Sequence, residues 1–196
     1  MLTVLCNTEL ESPALSFHND HAESLPAWNH RSAGDRFGKS EVFEYKGGIK
    51  EFVALLNKTK EPVHEQVISV KAEGTADSGA VITVEAALQW NSSYAEQIFC
   101  YTNNIHNRDG GTHVTGFRGA LTKTLNNYGS ANNLLKDLKG QPLSGEDVRE
   151  GLTAVITVKH PEPSYSSQTK DKLVSSDVKG IVEGVVSDKL GQFLEE

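Results

Sequence analysis

Cysteine is almost absent: Cys6 and Cys100 are the two in 196 residues, and neither sits in a CxxC or Cys/His ligand spacing. A disulfide framework and a zinc site are therefore both unsupported, and a reducing, cytoplasmic setting fits. A surplus of basic residues is missing too. The chain has 19 Lys and Arg against 26 Asp and Glu, a formal charge of −7 and a pI near 5.5. That balance excludes a protein whose main work is to coat nucleic acid nonspecifically, so any contact with phosphate must be local. No apolar run approaches the roughly 20 residues needed to cross a bilayer. The opening Met1-Leu2-Thr3-Val4-Leu5-Cys6 lacks the basic region and sustained apolar stretch of a signal peptide, so no membrane partner is expected. Neither the P-loop pattern nor the dinucleotide fingerprint occurs, which argues against a small kinase.

What is present suits a single domain, because 196 residues with 37% hydrophobic content can close one modest core. From Met1 to about Ala33 no helical or strand period is visible. At Ser40 the character changes. Glu41 to Tyr45 reads as a strand, and Gly47-Gly48 breaks it before Ile49, Phe52, Val53 and Leu56, which share one helical face. Val67 to Val70 is a second strand candidate. Asp77-Ser78-Gly79 then turns the chain into a strictly alternating segment, with Ile82, Val84, Ala86, Leu88 and Trp90 on one side and Thr83, Glu85 and Gln89 on the other. This pattern predicts one covered and one wetter sheet face. After Asn91-Ser92-Ser93, residues Gln97 to Thr102 are expected to return as the antiparallel partner of that strand.

Thr112 is a plausible N-cap for a longer helix, with Val114, Phe117, Leu121, Leu125 and Tyr128 as its buried stripe. Arg118, Thr122 and Asn126, spaced by four, form a polar stripe on another face. Gly116 and Gly119 weaken this helix by about 1 kcal/mol each relative to Ala, so packing must hold it. Ser144 to Asp147 predicts a single helical turn, and Leu152, Ala154, Ile156 and Val158 alternate as another strand. Pro161 and Pro163 stop it. A polar loop from Ser164 to Ser176 leads to a final helix near Asp177, whose Val178, Ile181, Val182, Val185, Leu190, Phe193 and Leu194 recur at helical spacing. Glu195 and Glu196 sit at the unfavourable end of its dipole, so the helix either frays there or continues in a longer chain.

Three strings are candidates for chemistry. Asp109-Gly110-Gly111-Thr112-His113 resembles an anion-binding turn, but a tight strand-to-helix turn is the simpler reading. His106 and His113 lack carboxylate or cysteine partners at metal-ligand spacing and read as surface or capping residues. Gln168-Thr169-Lys170 lies in a loop from which a compact ammonium and an amide can reach a phosphate in a neighbouring domain. On composition alone a solvated loop is the alternative. Arg118 either touches a DNA phosphate or is simply solvated.

The strings Tyr45-Lys46-Gly47-Gly48-Ile49-Lys50-Glu51-Phe52-Val53, Asn103-Asn104-Ile105, Arg108 to His113 and Gly116-Phe117-Arg118 occur in that order. Leu121 to Asn126, Asp147 to Val155 and Ser166 to Leu173 follow. Together they resemble the transducer domain of the DNA gyrase B family and its close relative, the topoisomerase IV B-type subunit. The resemblance covers residues 34–196 and sets 1–33 apart as a divergent or poorly ordered N-terminal segment. It implies an α+β fold, with helices on one face of a mixed, mainly antiparallel four- to five-stranded sheet and a left-handed crossover, against the usual hand. It also implies that Gln168, Thr169 and Lys170 reach the γ-phosphate of ATP held with Mg in a preceding domain, Lys170 being the catalytic cation. Arg118 then faces the cavity through which a transported duplex passes. A gyrase A-type subunit, a second gyrase B chain and double-stranded DNA are the implied partners.

Residues 1–33 show none of the Arg-Glu-Leu and Phe-Leu-Asn pattern with which that domain begins. The ATP-pocket motifs and the acidic metal-binding cleavage domain are missing as well. Hydrolysis of ATP by this chain alone is therefore not expected, and the competing reading is a stand-alone noncatalytic module that binds a partner or nucleic acid through the same fold.

Overall fold

The computed structural model describes residues 2–6, 14–17, 41–45, 47–138 and 141–195. Leu2–Cys6 (β1), Ala14–Phe17 (β2) and Glu41–Tyr45 (β3) form a three-stranded antiparallel sheet in the order β2-β1-β3. In its register Val4 lies opposite both Leu15 and Phe43. The first two strands fall in the stretch without a visible period. Leu-Thr-Val-Leu-Cys is an almost unbroken apolar run, so it shows no alternation from which a strand can be read.

Residues 47–195 build an α+β unit. Gly48–Leu56 (α1) is followed by Ile68–Thr75 (β4), Val81–Trp90 (β5), Gln97–Thr102 (β6) and Ile105–His106 (β7). Thr112–Ala131 (α2), Gly145–Arg149 (α3), Leu152–Lys159 (β8) and Ser176–Glu195 (α4) complete it. The sheet runs β4-β5-β8-β6-β7, and every neighbouring pair is antiparallel except β6 with β8.

That parallel pair corrects the expected hairpin between β5 and β6. β8 inserts between them, placing Trp90 opposite Leu152 on one side and Gln97 beside Thr153 on the other. The reason is burial: all of β8 from Leu152 to Val158 is buried, and a strand dry on both faces belongs in the middle of a sheet. Local chain economy favours the hairpin, but it would leave this strand at an edge. The β6–β7 connection is itself a hairpin, with Asn103 (φ 48°) and Asn104 (φ 67°) supplying the two left-handed residues of its turn.

Helices α2 and α4 cover one face of the sheet, over a core containing Ile82, Val84, Ala86, Leu88, Ala154, Ile156, Phe117, Leu121 and Val182. The opposite face is drier than the alternation in β5 suggests. There α1 sets Ile49, Phe52 and Val53 against Ala87, Tyr101 and Val155. Gln89 is buried beside this cluster and stays satisfied, accepting a hydrogen bond from Asn57 Nδ2 (2.9 Å) and donating to the His64 carbonyl (2.9 Å). Gly116 is required by packing. A Cβ there would run into the Lys179 carbonyl, so α2 and α4 approach backbone to backbone at this point.

Two helix starts show how local signals fare. At α3 the Ser144 hydroxyl accepts from the Asp147 amide (3.1 Å), and the Asp147 carboxylate accepts from the Ser144 amide (2.8 Å), a complete capping box. At α2 the expected cap is displaced. Gly111 occupies the cap position, and the Thr112 amide donates instead to the Leu173 carbonyl (3.0 Å). A strand-like bridge from Gly111 to Leu173 has taken over the role of a capping side chain.

Candidate functional site

The segment from Ser164 to Ser175 is a loop with a fixed base and an exposed tip. At the base the Val174 amide donates to the Ser164 carbonyl (2.9 Å), and the Ser166 amide donates to the Lys172 carbonyl (3.0 Å). Leu173, fully buried, anchors it; its amide donates to Gly110 O (3.1 Å), while the Asp109 amide donates to Asp171 O (2.9 Å). The start of α2 and this loop are therefore one backbone-bonded unit. Gly111 permits it: its φ of +141° is open essentially to glycine alone, and a Cβ would lie 2.7 Å from the Leu173 nitrogen.

Asn107 holds the tip from below. Fully buried, it accepts from Thr102 Oγ1 (2.7 Å) and donates through Nδ2 to the Lys170 carbonyl (2.7 Å). Nothing in the sequence singles it out, since its partners are 5 and 63 residues away. Above it the Lys170 amide closes a turn onto Ser167 O (3.1 Å), with Lys170 itself in the left-handed region at φ 59°. For a residue with a side chain that conformation costs about 1 kcal/mol, and the Asn107 bond helps to hold it. Gln168, Thr169 and Lys170 all lie exposed on this tip, as one group. Thr169 donates to Asp171 and meets the Ser167 hydroxyl at 2.7 Å, whereas the Lys170 ammonium stands 5.7 Å above the Tyr165 ring. A cation over one face of an aromatic ring is attracted to it and here remains exposed to solvent.

Arg118 projects from α2 at a second place. It is not merely solvated, because its Nε and Nη2 donate to the two carboxylate oxygens of Glu96 at 2.9 and 3.0 Å. Arg149 Nε approaches the same Glu96 Oε1 at 3.2 Å, close enough for charge pairing though not aligned as a hydrogen bond. The rest of the polar stripe is occupied locally. Thr122 Oγ1 donates to Arg118 O, and Asn126 clasps Leu143 through both its carbonyl and amide groups. Arg118 shares an open depression with Arg108, Lys172, Gly110 and Gly111, and Gln168 and Lys170 are not part of its lining. The two sequence-derived sites are thus separate surfaces, joined through the backbone bonds of Asp109 with Asp171 and of Gly110 and Thr112 with Leu173. Glu96, 22 residues before Arg118, is a further member that the sequence pattern misses.

The remaining candidates are structural. His113 is completely buried rather than capping or superficial, and neither ring nitrogen has a hydrogen-bond partner among the described residues. Burial holds its pKa down at about 4, so it is a neutral core residue at pH 7. His106 is also pushed down, first by burial and then by Arg108, with Asp171 opposing. The Cys100 thiol donates to Asn107 O (3.0 Å), and burial raises its pKa to about 12, which keeps it an unreactive thiol. Among the described residues no group of three His, Cys, Asp or Glu is placed to hold a metal ion, and no helix is long and apolar enough to cross a membrane.

Residues 48–196 match the family model for DNA gyrase B. The chain is 49% identical over 158 residues to the DNA gyrase B protein of Bacillus mycoides, covering 81% of this chain and 38% of that protein. To the DNA gyrase B protein of Myxococcus xanthus it is 47% identical over 162 residues, covering 83% and 19% respectively. The chain therefore spans well under half the length of these relatives. Among solved structures, the 43K ATPase domain of Thermus thermophilus gyrase B, in complex with an aminocoumarin, superposes with a TM-score of 0.70 at 34% identity, over 81% of this chain and 41% of that one. A topoisomerase IV ATP-binding domain from Francisella tularensis shares the fold at 24% identity and a TM-score of 0.62, over 80% and 40%.

Proposed function

The chain belongs to the DNA gyrase B family, and on that premise we propose that residues 34–196 are the transducer domain of a gyrase B-type protein, one component of a type II DNA topoisomerase. In this reading the domain couples ATP binding and hydrolysis in an adjacent domain to closure of a dimer gate and passage of a DNA duplex. The observation that carries it is the Lys170 ammonium, presented at the exposed tip of a loop whose base is bonded to the start of α2.

The tip fits a phosphate brought from outside. Lys170 offers a compact positive charge and Gln168 an amide donor, and both are exposed beyond a braced backbone. Their exposure is in keeping with a nucleotide held by another domain. When bound there with Mg, ATP supplies a terminal phosphate whose negative charge Lys170 neutralises. Because the tip is tied through Asn107, and the base through Leu173, to the segment that opens α2, a change of position at Lys170 is passed to that helix rather than absorbed in a slack loop. The gyrase A-type subunit, a second gyrase B chain and double-stranded DNA are the proposed partners. This chain alone is proposed not to turn over ATP.

Lys170→Ala in the complete gyrase B protein tests the assignment. The expected result is a fall of about 100-fold in ATP turnover, the scale of losing one preorganised charge contact, with supercoiling lost in parallel. Unchanged turnover removes Lys170 from the role. Adding this chain to a separately expressed nucleotide-binding domain should raise the latter's ATPase rate, which tests coupling directly.

A further inference from the structure

We infer that Glu96 is a built-in competitor for phosphate at Arg118, and that Arg149 makes the exchange possible. The inference rests on the proposed duplex-facing role of Arg118 and adds its regulation. Arg118 is not an open cation: both of its hydrogen-bonding edges toward Glu96 are used, at 2.9 and 3.0 Å, in the bidentate geometry that a phosphate would also require. A duplex phosphate that takes this Nε/Nη2 edge must displace the carboxylate, and one on the remaining N–H groups meets its negative charge.

Three features make that departure inexpensive. The pair is partly in water, with the Arg118 side chain 44% exposed and Glu96 26%, so solvent and salt screen it and a polyanion can compete for it. Glu96 is not abandoned, because Arg149 Nε already lies 3.2 Å from Oε1 and its side chain, 19% exposed, is shielded from a bulky ligand. A second guanidinium therefore stays on the carboxylate and avoids an uncompensated, half-buried charge. Arg108 and Lys172 line the same depression as Arg118, with Asp109 the one carboxylate among its lining residues, so a backbone arriving there meets net positive charge. One carboxylate between two arginines is thus a latch that an anionic strand can open, and it limits engagement by anything bearing less charge density than a duplex.

The test is binding of a fluorescently labelled short duplex to the 196-residue chain by anisotropy, as a function of KCl. Arg118→Gln is expected to weaken binding and lower the salt slope by about 0.9, the loss of one phosphate contact. Glu96→Gln is expected to tighten binding about threefold, the worth of an exposed ion pair. Arg149→Met is expected to weaken binding about threefold, since Glu96 then holds Arg118 alone, and this effect must vanish in the Glu96→Gln background. If Arg118→Gln leaves affinity and slope unchanged, the duplex-facing reading itself falls, and the latch with it. If Arg118→Gln weakens binding but Glu96→Gln does not tighten it, or Arg149→Met acts equally in both backgrounds, the latch alone is overturned. Should Glu96→Gln unfold the chain, Glu96→Asp, which retains charge but cannot span both arginine edges, must give an intermediate gain.

Discussion

His113 makes acid sensitivity calculable. Burial of an imidazole with no hydrogen-bond partner among the described residues disfavours its charged form, and its pKa falls from the ordinary 6.5 to about 4. Between those values the unfolded chain binds a proton that the folded chain refuses, so stability rises with pH across this window and is lost as pH drops below 6.5. The full difference is about 3 kcal/mol, at 1.36 kcal/mol per pH unit of displacement. By about pH 5 roughly 2 kcal/mol of it is gone, equivalent to a fall in melting temperature of about 5 °C for a chain of this size. The measurement is urea unfolding of the wild type and of His113→Leu at about pH 7, 6 and 5. The wild type should lose about 2 kcal/mol more than the variant over that range, while at pH 7 the variant should match or exceed the wild type apart from packing differences, because two unpartnered buried nitrogens are removed. His106 shifts the same way but is common to both proteins, so the difference isolates His113. Parallel pH profiles for the two would refute the argument.

Two further outcomes follow from the joint between α2 and the phosphate-reaching loop. Gly111→Ala should cost at least about 3 kcal/mol in urea unfolding, because it adds forbidden backbone geometry to a collision with Leu173; Gly110→Ala, where φ is +70° and the nearest atom is Val114 Cγ2 at 3.5 Å, should cost only about 1 kcal/mol. Equal costs at the two positions would show that the Gly111–Leu173 contact does not matter. Asn107→Ala leaves the Lys170 carbonyl unpaired and should destabilise by about 2 kcal/mol, with hydrogen exchange accelerating at the Lys170 amide before it does in β8; uniform acceleration would argue against a local brace.

Much of this architecture is written in short-range pattern. The capping box of Ser144 and Asp147 lies within four residues, and the stripe of Phe117, Leu121 and Leu125 within nine, so both are visible before any fold is known. What escapes is whatever depends on distant partners. The place of β8 between β5 and β6, the exclusion of Thr112 from its cap by Leu173, and the two arginines on Glu96 link residues that no window contains. The candidate site divides in the same way. Gln168, Thr169, Lys170 and Arg118 are drawn from the family resemblance and do lie exposed, yet the residues that position them, Asn107 and Glu96, carry no local signature.

A sheet whose middle strand comes last in the chain has a consequence for biogenesis. As the polypeptide leaves the ribosome, β5 and β6 emerge with bare edges facing each other's future neighbour, and they cannot close until about residue 159 has been made. Nascent chains stalled before that point expose two adhesive strands to the crowd around them. Release of the final strand, rather than early collapse, is then the moment at which this protein becomes safe from its own copies.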